Sequence, residues 1–148
     1  MKFTCSQQIL SKALNTVSKA VSTRTTIPIL KGILIEADEN GKIRLAASDL
    51  DLSIEKITDA EVSEVGSVVV QSRLFGDIIR KLPNEDITVE SSDDNRVLIK
   101  NSRSEFVIVG LAADEFPSFG ETEEDAEEIL LDKETFREKM CIRDRYVR

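Results

Sequence analysis

Residues 67–83, SVVVQSRLFGDIIRKLP, change their hydrophobic period midway, and that change decides the fold. Val68, Val69 and Val70 are a β-branched run bounded by polar residues, as a short strand is. From Ser72 onward the apolar residues are Leu74, Phe75, Ile78, Ile79 and Leu82, at the spacings of three and four that put them on one stripe of an α-helix. Ser72 is placed to cap that helix, and Pro83 cannot continue it. The stretch predicts a strand that runs directly into an amphipathic helix.

The same unit stands 66 positions earlier, where Cys5, Ser6 and Ile9 correspond to Gln71, Ser72 and Phe75. Lys2 to Cys5 reads as a strand with Phe3 and Cys5 on one face. Ser6 reads as the cap of a helix carrying Ile9, Leu10, Ala13, Leu14, Val17, Ala20 and Val21. Two amphipathic helices also align by chance, so the repeat needs further support. A third copy begins at Ile129, Leu130, Leu131 and Asp132, followed by Phe136.

Each helix is followed by short strands. Residues 23–30, TRTTIPIL, break the first helix at Pro28. Gly32 to Ala37 and Lys42 to Ala47 are joined by DENG, where Asn40 and Gly41 accept the positive φ of a tight turn. Leu50, Leu52, Ile54 and Ile57 mark a third strand, with Asp51, Ser53 and Glu55 on its wet face. Ile87 to Glu90, Arg96 to Lys100 and Glu105 to Leu111 follow the second helix. The fold class is therefore α+β, with antiparallel strands and two helices to one side.

With 148 residues, of which 41% are hydrophobic, the chain can bury one core with a little left over. The first domain is expected over 1–126, with an acidic linker at about 112–127, and a second domain starting over 127–140. No apolar run is long enough to span a membrane, and the opening MKFTCSQQ lacks the apolar core of a signal peptide, so a cytoplasmic location is expected. Cys5 and Cys141 form no metal or redox motif, and there is no histidine. No cofactor or metal is implied. Asp49 and Asp51 could be imagined as paired carboxylates of an enzyme, but a wet sheet face or loop is the simpler reading, and no phosphate loop or nucleophile elbow accompanies them.

The net charge of −8 argues against nucleic acid as a partner, but it averages over a segregated chain. Met1 to Ile35 holds five bases, Lys2, Lys12, Lys19, Arg24 and Lys31, and no acid. On the second helix Arg73, Arg80 and Lys81 outnumber Asp77. Asp114 to Glu138 holds eleven acids against two bases, and Asn84 to Asn95 holds five acids and no base. Cationic stripes on two helices that bury their apolar faces in one core suit phosphate oxygens, although ordinary solvated helix faces have the same composition.

The opening MKFT, TRTTIPILKGILIEA, ASDLDLSIE, VVVQSRLFGDIIRKLP and AADEFPSF, in this order, resemble the sliding-clamp family, the β subunits of bacterial DNA polymerase III. The likeness runs from Met1 to about Met140. It implies the DNA-clamp fold, with strand–helix–strands units repeated, antiparallel sheets outside and two helices on the DNA-facing side. It implies a non-catalytic processivity factor: a head-to-tail homodimeric ring around double-stranded DNA, tethering a polymerase and placed by a clamp loader through a pocket beyond the matching stretch.

By resemblance Arg24, Arg73 and Arg80 approach the DNA backbone, and Lys12 and Lys19 join them on helix-face grounds. Leu74, Ile78, Leu82, Arg103, Glu105, Phe106 and Ile108 match the edge that meets a second subunit, with plain core packing the other reading for Phe106 and Ile108. The last eight residues, CIRDRYVR at 141–148, depart from the family pattern and read as a non-native tail. The rival reading is an acidic protein-interaction module without DNA binding, docking through Glu121 to Glu128, where a charge run is more simply a solvated linker.

Overall fold

The computed structural model describes residues 1–22, 24–117 and 132–135. The chain opens with β1 (Lys2–Ser6) and α1 (Gln7–Val17), then β2 (Gly32–Ala37), β3 (Lys42–Ser48), β4 (Ser53–Asp59) and β5 (Glu61–Glu64). After β6 (Gly66–Gln71) come α2 (Ser72–Lys81), β7 (Asp86–Ser91), β8 (Arg96–Lys100) and β9 (Glu105–Val109). All strand pairings are antiparallel, in one sheet of order β5-β1-β7-β8-β9 and another of order β4-β3-β2-β6.

The two sheets exchange strands. Each holds a three-strand meander from one half of the chain and the leading strand of the other half: β1 pairs with β7, and β6 pairs with β2. The repeat is therefore real, but its offset in the helices is 65. Leu10, Leu14 and Val17 are the large buried residues of α1, and Phe75, Ile79 and Leu82 occupy the same turns of α2 and its cap. The shift of one residue arises because Ser6 is a true cap, its Oγ accepting from the Ile9 amide at 3.4 Å, whereas Ser72 is the first helical residue and Gln71 holds the cap position without a side-chain bond.

One core joins both helices and both sheets. Alternation delivers Phe3 and Cys5, Ile87 and Val89, Val97 and Ile99 from the first sheet, and Ile33 and Ile35, Ile43 and Leu45, Val68 and Val70 from the second. Burial pushes the Cys5 thiol pKa up from 9.0 to about 12, with a smaller push from the Asp86 carboxylate. A second, smaller cluster lies on the other face of β2, β3 and β6, where Leu34, Ala46 and Val69 are covered by Ile29, Leu30 and Phe116. Phe116, which follows the short turn Ala113–Glu115, is 8% exposed, so the packed domain runs on into the stretch read as acidic linker.

Three further expectations are corrected, and one strand goes beyond them. α1 stops at Val17 rather than reaching Val21, because the Ser18 hydroxyl donates to the Leu14 carbonyl at 2.6 Å and the chain tightens into a 3-10 turn. The third strand begins at Ser53, not Leu50: the Asp49 carboxylate accepts from the amides of Asp51 (3.1 Å) and Leu52 (2.7 Å), and Leu50 takes a φ of 81°, so Leu50 and Leu52 sit exposed in a turn. β5 was not expected. β9 ends at Val109, and Leu111 instead bridges to Val69 of β6.

The expected hairpin is present: Gly41 has a φ of 72°, and Asp38 Oδ1 accepts from the amides of Asn40 and Lys42, both at 2.9 Å. Those bonds hold its carboxyl below the usual carboxylate range, the Lys42 amide having the largest effect. Asp132 accepts from the Thr135 amide at 3.0 Å, as the capping residue of the third copy should. The rest of that copy, the Glu121 to Glu128 run and the 141–148 tail lie outside the described residues.

Candidate nucleic-acid interface

α1 and α2 pack side by side, so their polar stripes share one layer. Lys12, Lys19, Arg73 and Arg80 are all exposed on it, and Arg24 is exposed in the segment that follows the 3-10 turn after α1. Among the described residues, Lys12, Lys19, Arg24, Lys31 and Arg73 form no ion pair. On the strands, Lys2 pairs with Glu90 at 3.2 Å, Arg44 with Glu36 and Glu55, and Arg96 with Asp94 at 2.9 Å, while Lys42, Lys56 and Lys100 form no ion pair among the described residues either. Arg80 is the exception in the helix layer, its Nη2 donating to Asp77 Oδ1 at 2.6 Å. Such an exposed pair contributes only ~0.5 kcal/mol and leaves the guanidinium free to exchange partners.

An open cleft of about 530 Å³ separates the residues after α1 from the start of α2. It is lined by Ser18, Val21, Ser22, Lys31, Ile33, Gln71, Ser72, Arg73, Gly76 and Arg80, with no carboxylate among them. Of the five cations expected to meet DNA, the cleft gathers Arg73 and Arg80, while Lys12, Lys19 and Arg24 lie outside its lining. It adds Lys31, which sequence reasoning counted among the bases but did not place. Only the fold brings Lys31, the last residue of the 3-10 turn just before β2, beside a helix that does not begin until Ser72.

The expected subunit edge divides. β9 ends its sheet, hydrogen-bonded to β8 alone among the described strands. Arg103 and Glu105 are exposed at its start, Phe106 is 39% exposed and Leu74 of α2 is 44% exposed, while Ile78 is half-buried. Leu82 and Ile108, at 7% exposure each, belong to the core and have little surface to offer a partner. Phe106 pairs with Ile99 and Ile108 with Val97, so both face the core side and only position at the sheet edge separates them. Val107 and Val109, 58% and 74% exposed on the opposite face, were not singled out from sequence.

Among the described residues no three His, Cys, Asp or Glu side chains gather as metal ligands would, and no helix is long and apolar enough to cross a membrane.

Residues 1–120 match the family described as DNA polymerase III beta subunit, N-terminal domain. The chain is 41% identical over 133 residues to the Beta sliding clamp of Halalkalibacterium halodurans and 39% identical over 132 residues to that of Bacillus subtilis, covering 84% of this chain in each case. It spans only 35% of the length of either relative. Among solved structures, the DNA polymerase sliding clamp from Bacillus subtilis superposes with a TM-score of 0.80 at 38% identity, covering 84% of this chain and 34% of that one. The beta subunit from DNA polymerase of Streptococcus pyogenes gives 0.82 at 28% identity, covering 88% and 35%.

Proposed function

The chain belongs to the DNA polymerase III beta subunit family, through its N-terminal domain, and on that premise we propose that it forms one section of the wall of a sliding clamp. Its helix layer faces duplex DNA and its sheets face outward. The observation that carries this reading is the charge arrangement: Lys12, Lys19, Arg73, Arg80 and Lys81 are exposed on α1, the 3-10 turn after it and α2, with Arg24 and Lys31 close by, against Asp77 as the one acid of those elements. Fixed cations on one face attract phosphate at any sequence, and contacts screened by salt and water release as readily as they form. A ring held on DNA by topology needs no more than that. The work is holding rather than catalysis, and its partners are duplex DNA, a second copy meeting the β9 edge, a polymerase and a clamp loader.

The experiment uses the longer protein that contains this domain, loaded onto nicked circular DNA. It should remain through a wash in high salt and leave once the circle is cut. Loss in high salt from the intact circle, or retention on linear DNA with free ends, would refute topological linkage.

A further inference from the structure

Resting on the DNA-facing reading above, we infer that the cleft between the end of α1 and the start of α2 is a built seat for one backbone phosphate of duplex DNA, with Lys31 as its unassigned third cation and Gly76 as the residue that lets Arg80 reach into it. Three cations, Lys31, Arg73 and Arg80, line one concave surface together with Ser22 and Ser72 and with no carboxylate, while the hydroxyl proton of Ser18, also in the lining, is engaged by the Leu14 carbonyl. Concavity with apolar walls, here Val21 and Ile33, strengthens the attraction of cations for an anion relative to the same charges on a convex helix face. Lys12 and Lys19 lie outside the cleft lining and would contribute attraction at a distance rather than a defined contact.

Gly76 supplies the independent observation. It is buried in the middle of α2, where glycine is the second-worst helix former after proline, so its presence calls for a reason. A Cβ at position 76 would come within 3.1 Å of Arg80 Nη1 and 3.4 Å of Nη2, and, apart from its two chain neighbours and the helix's own backbone, the three nearest atoms to it all belong to the Arg80 guanidinium. The guanidinium thus lies flat on the helix over the space that a side chain would fill. From there, exchange of Asp77 for a phosphate oxygen needs only a small swing, and the planar fork can meet that phosphate with two donors. Gly76 is a positioning residue acting through Arg80.

The test titrates the isotope-labelled 148-residue chain with a short DNA duplex, and separately with inorganic phosphate, followed by amide NMR shifts and by binding isotherms at several salt concentrations. The duplex is expected to shift the amides of residues 71–73, 76 and 31 together. Lys31→Gln should weaken duplex binding roughly fivefold, and lower the slope of log affinity against log salt by about one. Gly76→Ala should leave thermal stability equal or higher, since alanine favours helix, yet weaken duplex binding about twofold or more. A merely structural glycine would give the opposite pair of results.

Duplex binding that shifts only α1 residues around Lys12 and Lys19, unaffected by Lys31→Gln, would overturn the seat and leave the DNA-facing reading standing. Occupation of the cleft by inorganic phosphate with no shift there from the duplex would likewise overturn it, in favour of a free-anion site. No response to duplex anywhere on the helix layer would sink both.

Discussion

Cys5 shows what one residue's position dictates. It sits in β1 between β5 and β7, 7% exposed, with its thiol pKa raised to about 12 by burial first and by the Asp86 carboxylate second. The neutral thiol is the form the fold accepts, so the stabilisation is full below the unfolded pKa near 9 and is lost as pH rises from there towards 12. Unfolding free energy should therefore fall more steeply between pH 9 and pH 12 in the native chain than in Cys5→Ala, as denaturant titrations across that range would read. In a Cys141→Ser background, alkylation of native Cys5 at mildly alkaline pH should be on the order of a thousandfold slower than that of a free thiol, since only the thiolate reacts. A free-thiol rate would mean that this interior strand of its sheet opens readily.

At the scale of elements, β9 is the piece whose surface is least explained by this chain alone. An edge strand presenting unpaired backbone beside Val107 and Val109 invites pairing with another chain, a hazard that folded proteins usually blunt with charge or proline. Val107→Lys should change the stability of this domain by no more than about 0.5 kcal/mol, as exposed substitutions do. On the proposed meeting of a second copy with this edge, the same substitution in a full-length clamp carrying this domain should shift dimer towards monomer, read by sedimentation; an unchanged dimer would place that contact elsewhere.

Much at this scale was legible because period is a local property. The stripe Leu10, Leu14, Val17 and its counterpart Phe75, Ile79, Leu82 could be read directly, as could the hairpin through Gly41. A serine one place off, cap in one helix and first turn in the other, cost one residue in the repeat offset, since serine suits both positions. Leu50 and Leu52 mimicked strand alternation, and only the Asp49 side chain bonding forward to two amides diverts them. β5, with Val62 its lone half-buried apolar residue, carries almost no pattern to read. The placement of Lys31 and the make-up of the proposed subunit edge depend on which residues the exchange of strands brings to one surface, and no spacing encodes that.

In the molecule as a whole, the exchange of β1 and β6 between the sheets locks the two halves into one core and sets both helices side by side on it. Charge then follows architecture. A chain of net charge −8 can still present a cationic layer, because its acids lie mostly in the β-turn segments and in the residues beyond Asp114. The field near the helices, rather than the net charge, governs what approaches them over distances comparable to the screening length. Replacing Arg24, Arg73 and Arg80 together by alanine tests this at the scale where it belongs. All three side chains are exposed, and their removal breaks at most one surface ion pair, that of Arg80 with Asp77. The melting temperature should move by no more than a few degrees, consistent with about 1 kcal/mol. Duplex affinity should fall at every DNA sequence alike, and the salt slope should drop by about two to three, close to one for each phosphate that is no longer neutralised. Sequence-dependent weakening would point to base recognition, and a large fall in melting temperature would make the arginines structural. An unchanged salt slope would mean that duplex DNA meets this domain on another face.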